Sequence, residues 1–196
     1  MKATPHYRQG VELAHAYRLL NHGPTVLVGA AADGRRNVMA AAWSMPLDFD
    51  PPKIAVVIDK STFTRELIET SGEFALSLPP VALLAETVAA GSSSGRDADK
   101  FSLLDLGSFA GEKTGAPLIE ACVGWLECRV LPEPDMQTRY DLFVGEVVAA
   151  QADSRVFSGG RWHFDPAGET LRTIHHVAGG AFFATGPLLA KDADRN

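Results

Sequence analysis

Apolar positions recur along the chain with two periods, and the changes between them mark out its elements. Leu13, Ala16, Tyr17 and Leu20 fall at i, i+3, i+4 and i+7, which predicts an N-terminal helix over about residues 7–20. Asn21-His22-Gly23-Pro24 stops it. TVLVGAAA, then Asp33-Gly34, then NVMAAAWSMPLDFDPP from Asn37 to Pro52 predict a hairpin closed by a type I′ turn, because Asp-Gly tolerates the positive φ angles such a turn needs. KIAVVID (53–59) is apolar without alternation, the pattern of a strand buried on both faces. Phe63, Leu67 and Ile68 mark a short amphipathic helix stopped by Gly72, and Phe74 to Leu78 reads as another strand. Pro79-Pro80 opens a helix with Val81, Leu84, Ala85 and Val88 at helical spacing.

Gly91-Ser92-Ser93-Ser94-Gly95 interrupts that helix, and RDADKFSLLDL resumes it with Asp97 as a cap and Phe101 and Leu104 on one side. From Cys122 to Leu131 the residues alternate, with Cys122, Gly124, Leu126, Cys128 and Val130 on one face and a partly exposed Trp125, Glu127 and Arg129 on the other. Tyr140 to Ala150 is its hairpin partner. Trp162-His163-Phe164 and Leu171 to His176 flank Asp165-Pro166-Ala167-Gly168 and predict a small hairpin, and the tail from Lys191 is polar and loose. Strands outnumber helices and come as hairpins, and no Gly-x-Gly-x-x-Gly follows a strand. The expected fold is mainly β (α+β), an antiparallel barrel with peripheral helices, in one domain over residues 1–196.

Composition narrows the function. A net charge of −6 without a basic cluster argues against nucleic acid as a partner. No run of 18 apolar residues is present to cross a membrane as a helix, and MKATPHYRQG lacks the apolar core of a signal peptide, so a cytoplasmic protein is expected. Cys122 and Cys128, about 20 Å apart on one strand face, are too distant for a disulfide, which needs Cα atoms within about 7 Å. They read as buried thiols of a reducing compartment. No Cys-x-x-Cys or His-x-x-x-His spacing suggests a metal.

Three stretches could carry chemistry. Ala40, Ala41 and Ala42 leave the backbone bare, which suits either tight packing against a helix or a flat ligand lying on the strand. Gly91 to Phe101 offers glycines, hydroxyls, a helix start and Lys100, fit for a phosphate or for a flexible capped loop. Ser61 and Thr62 precede Phe63 at a second helix start, where either could cap, and Lys60 and Arg65 add cations suited to phosphate. Gly91-Ser92-Ser93-Ser94-Gly95 has the letters of a nucleophile elbow but follows a helix, so no catalytic side chain is nominated.

NVMAAAWSMPLDFDPPKIAVVIDKSTFTRELIETSGEFALSLP, GSSSGRDADKF and GAPLIEACVGWLECRV together resemble the flavin reductase-like family of FMN-binding split barrels, closest to its flavoredoxin branch, over about Leu20 to Gly186. The resemblance implies a six-stranded split barrel, a homodimer and FMN bound near the subunit interface, reduced by NADH or NADPH. By position it places Ala41, Ala42, Trp43, Ser44, Met45, Pro46 and Leu47 along the flavin ring and ribityl chain. It places Ser61 and Thr62 near the ribityl or phosphate end, and Ser94, Gly95 and Lys100 at the phosphate. Met45 stands where some relatives carry a cysteine. The alternative function is a flavin-binding electron carrier or sensor without turnover.

Overall fold

A computed structural model describes residues 7–189; the tail from Lys191 lies outside them. The chain opens with β1 (Arg8–Gly10), a short α1 (Leu13–Ala16) and a 3-10 turn over Tyr17–Leu19. The expected helix over 7–20 is therefore confined to its second half. Glu12 is extended (ψ 135°), and residues 8–10 instead gain ladder pairing opposite Gln151 to Asp153. β2 (Val26–Ala32) and β3 (Arg35–Ala41) form the predicted hairpin, with Asp33 at φ 50° and Gly34 at φ 73°.

The small-residue stretch is not one strand. It divides at Ala42-Trp43 into β3 and β4 (Ser44–Phe49), and β4 turns through a cis Asp50-Pro51 bond into β5 (Pro52–Val57). α2 (Phe63–Ser71) begins at Thr62, whose hydroxyl accepts from the Arg65 N–H, and ends at a left-handed Gly72. Next come β6 (Glu73–Leu78), a 3-10 turn over Val81–Leu83, α3 (Leu84–Ser92) and α4 (Lys100–Leu103). The interruption thus begins after Ser92, and the cap of the resumed helix is Asp99 rather than Asp97, its carboxylate accepting from Phe101 N at 3.1 Å. β7 (Ser108–Ala110) and β8 (Pro117–Ile119) pair with each other; β9 (Gly124–Leu131), α5 (Pro134–Tyr140) and β10 (Leu142–Asp153) follow.

The main sheet runs β3-β2-β6-β9-β10-β5-β4, antiparallel at each step, with β1 added to the end of β10. Its two marginal strands are joined by only two residues, Ala42 and Trp43. Margins tethered that closely must meet at one end, so the sheet curls into a barrel split along one seam. Phe74, Leu76, Leu126, Phe143 and Val28 fill the barrel interior. A second apolar layer, with Leu27, Phe101, Leu118 and Trp125, packs outside the barrel beneath the helices.

That second layer overturns the expected exposure of Trp125 and Glu127, each only 2% exposed. Glu127 is tolerated there because its carboxylate accepts from the N–H groups of Glu112, Lys113 and Thr114, each at 2.8 Å. The thiols also divide between the layers. Cys128 belongs to the interior and Cys122 to the outer one, since Ala121 (φ 62°) turns the chain just ahead of β9. Burial raises both thiol pKa values, so neither is a thiolate at neutral pH.

The predicted hairpin across residues 165–168 does not form. Gly159-Gly160 and Gly179-Gly180, all at positive φ, supply the turns for two others: β11 (Phe157–Ser158) with β12 (Arg161–Trp162), and β13 (Ile174–Ala178) with β14 (Ala181–Ala184). Asp165–Ala167 and Glu169–Leu171 are 3-10 turns instead.

His22 pins this C-terminal region to the barrel. Its ring lies 5.4 Å from Trp162 and 5.5 Å from His175, and its Nε2 is 2.8 Å from the Thr173 hydroxyl. Burial, then the proximity of His175, lowers its pKa from 6.5 to about 4. A depressed imidazole stays neutral in the fold and takes up a proton on unfolding. Its stabilising effect is complete above pH 6.5 and is lost as pH falls toward 4, by about 3 kcal/mol at most. Urea titrations between pH 7 and 4 are expected to show this loss, and a His22→Leu variant a flatter profile.

Candidate functional site

The bare strand β3 forms one wall of a trough whose other wall is α3. Gly91 makes the close approach possible: a Cβ there would sit 3.3 Å from the Ala40 Cβ. The trough has two chemically different ends, which share Met39, Ala40, Gly91 and Ser92. One is an apolar cavity of about 590 Å³ walled by Ala41, Ala42, Trp43 and Val88, with His176 and Phe182 facing them from the β13–β14 hairpin. The hairpin is held by the His176 N–H, which donates to the Thr25 hydroxyl at 2.9 Å, and the His176 and Phe182 rings meet at 5.1 Å. The other is a polar cavity of about 260 Å³ that brings together Asn37, Ser61, Thr62, Ser94, Gly95 and Lys100.

Lys100 is only 3% exposed. Its ammonium donates to Val38 O at 2.9 Å and Ala90 O at 2.7 Å, the latter at the carbonyl end of α3. Among the described ion pairs none involves Lys100. Desolvation lowers its pKa. A buried cation with carbonyls but no counter-charge is stabilised by any anion that enters beside it. Lys100 is thus held in a fixed position.

Asn37, 2% exposed, donates from Nδ2 to the Thr64 hydroxyl at 2.9 Å, while its Oδ1 is buried without a partner. Gly95 presses against that same oxygen, where a Cβ would come within 2.0 Å. An orphaned polar atom beside a lone buried cation is costly unless a ligand completes it. Asn37 was not nominated from sequence. Its signal was a polar side chain directly ahead of the apolar run Val38-Met39-Ala40-Ala41.

The remaining nominated residues divide. Ser94 Oγ accepts from Arg96 N at 3.2 Å. Ser61 Oγ donates to Asp59 at 2.6 Å, and Thr62 Oγ1 donates to Asp59 O at 2.8 Å, so both hydroxyl protons are engaged within the turn. Ser44, Met45, Pro46 and Leu47 line neither cavity, and Met45 and Leu47 project outward from the marginal strand. Arg65 is unavailable to an anion: it spans Glu69, Asp141, Ile58 O and Gln137 O and lies over the Phe143 ring. Arg96, which sequence reading left unassigned, lines the polar cavity, donating to Ser61 O at 2.8 Å and pairing with Glu66.

A split antiparallel barrel with a trough for an elongated ligand, flat and apolar at one end and anionic at the other, is the architecture of flavin-binding split barrels. The chain belongs to the flavin reductase-like domain family, which matches residues 18–167. The protein YddH of Escherichia coli K12 is 52% identical over 179 residues, 90% of this chain and 94% of YddH. A crystal structure of an FMN-binding domain of a flavin reductase-like enzyme from Shewanella baltica superposes with a TM-score of 0.92 at 49% identity, covering 94% of this chain and 97% of that one. Flavoredoxin of Desulfovibrio vulgaris superposes at 0.76 with 28% identity, covering 88% and 92%.

Proposed function

We propose that this protein is an FMN-dependent oxidoreductase that takes electrons from NADH or NADPH and holds FMN as a prosthetic group. The carrying observation is the pairing of a bare, apolar strand wall with a buried, uncompensated Lys100 at the end of the same trough. Solved relatives described as FMN-binding and as a flavoredoxin support it. In this reading Ala41, Ala42 and Trp43 flank the ring, while Ser44, Met45, Pro46 and Leu47 continue the same chain outside both cavities. Ser94, Gly95 and Lys100 hold the phosphate, and Ser61 and Thr62 wall the trough beside it. Asn37 joins them: with its amide turned over, Oδ1 accepts from Thr64 and Nδ2 faces the phosphate as a donor. Bound FMN supplies the redox chemistry, accepting a hydride and passing electrons on; the side chains orient it and exclude water.

The exposed face of β4 supports a homodimer. Trp43 is 75% exposed, Met45 54%, Leu47 52% and Phe49 66%, an apolar row on a marginal strand. Such a row invites pairing with another chain. Buried, protonated thiols accord with a cytoplasmic setting.

Three measurements test the reading. The freshly purified protein is expected to show oxidised-flavin bands that bleach on anaerobic addition of NADH or NADPH. Persistent bands would instead identify an electron carrier served by a separate reductase, and failure of added FMN to bind would reject the flavin reading.

Lys100→Met is expected to weaken FMN by about 1–3 kcal/mol more than it weakens riboflavin, the scale of a charge-assisted contact. Equal losses for the two ligands in a calorimetric titration would remove Lys100 from the phosphate. Light scattering is expected to give a dimer mass for the wild type and a monomer mass for the Met45→Asp, Leu47→Asp double variant.

A further inference from the structure

A cavity of about 940 Å³ lies apart from the trough and shares no lining residue with either of its ends. The β13–β14 hairpin stands between them. His175 and His176 point to opposite faces of β13; His176 lines the trough, and His175 reaches Thr185, on the wall of this cavity, at 3.0 Å. Much of the lining is apolar. The Trp162 and Phe164 rings stack at 4.9 Å, and the Trp162 indole N–H is spent on Arg18 O at 3.1 Å, so the indole offers only ring surface. Leu188 and Leu189, 70% and 91% exposed, add aliphatic surface that remains in water.

The charged groups of the cavity are unevenly matched. Its carboxylate, Asp165, is held by Arg172 at 2.6 Å. Arg18 donates only to neutral oxygens, the Tyr17 hydroxyl at 3.1 Å and Gly160 O at 3.3 Å. Arg161 is exposed, and neither it nor Arg18 has a carboxylate partner among the described ion pairs. Two unanswered guanidinium groups thus share one cavity in a chain of net charge −6. An inorganic anion would leave the rings and leucines wet, and a neutral aromatic would leave both cations unanswered. A flat aromatic body bearing one carboxylate meets both demands, its ring against apolar surface and its oxygens on a guanidinium fork. The volume lies within the roughly 300–1,000 Å³ of small-ligand sites. We propose that this cavity is a second ligand site, for an aromatic carboxylate, separate from the flavin trough.

Calorimetric titration with 2-naphthoate, and with 2-naphthamide as its uncharged counterpart, tests the assignment. Wild-type protein is expected to bind 2-naphthoate at least about ten-fold more tightly than the amide, with the same affinity whether or not FMN is present. Arg161 is exposed at the start of β12, so Arg161→Ala leaves the core intact. That variant is expected to raise the 2-naphthoate dissociation constant about 3- to 10-fold, the range for losing one exposed charged contact, and to leave FMN affinity unchanged. Absence of 2-naphthoate binding at low millimolar concentration overturns the proposal, as do equal affinities for acid and amide or an unchanged constant in Arg161→Ala. Displacement of 2-naphthoate by FMN would put it in the trough and overturn the proposal too. A protein that failed to bind FMN would reject the flavin reading and leave this test intact.

Discussion

The geometry of the site depends on one buried ammonium group. Lys100 reaches from the start of α4 to a carbonyl of β3 and a carbonyl at the end of α3, and so ties together the three elements that surround the trough. Without that bridge two carbonyls in a dry region would lose their donor, and the strand and helix would lack a fixed spacing. The arrangement is costly in isolation because the charge has been taken out of water with no carboxylate to meet it. A fold that retains such a cation beside an incompletely hydrogen-bonded Asn37 amide is incomplete as a closed core and complete as a receptor.

Much of the barrel was legible because local chemistry dictated it. Asp33-Gly34 could close only one kind of hairpin, and Thr62 with Gly72 bracketed α2 as their side chain and conformational freedom require. The failures share a cause: they turn on burial by elements distant in sequence. Trp125 and Glu127 read as partly exposed because alternation suggests one wet face, but the layer under α3 and α4 covers that face as well. Residues 8–10 read as helix because their strand partner lies some 140 residues downstream. At the C-terminus two Gly-Gly turns outcompeted a Pro-containing stretch that carried more familiar turn letters.

The site shows the same division. The bare alanines, the hydroxyl turn and the Gly/Ser loop announced themselves through composition, and the structure gathers their key members around one trough. Asn37, Arg96, His176 and Phe182 did not. Each becomes relevant only when a strand, a loop or a hairpin from elsewhere is folded against β3. Arg65 went the other way: a cation beside two hydroxyls looked available, but four partners within the fold claim it.

The two-residue link between β3 and β4 has a thermodynamic consequence. Ala41 to Phe49 is one continuous piece of chain that walls the apolar cavity at its beginning and carries the outward apolar row at its end. An occupant of the cavity and a neighbour on the row would therefore act on the same few backbone torsions. By linkage, whichever arrives first lowers or raises the cost of ordering the segment for the other, by the same factor in both directions. If that neighbour is a second copy of the chain, ligand affinity becomes a function of protein concentration.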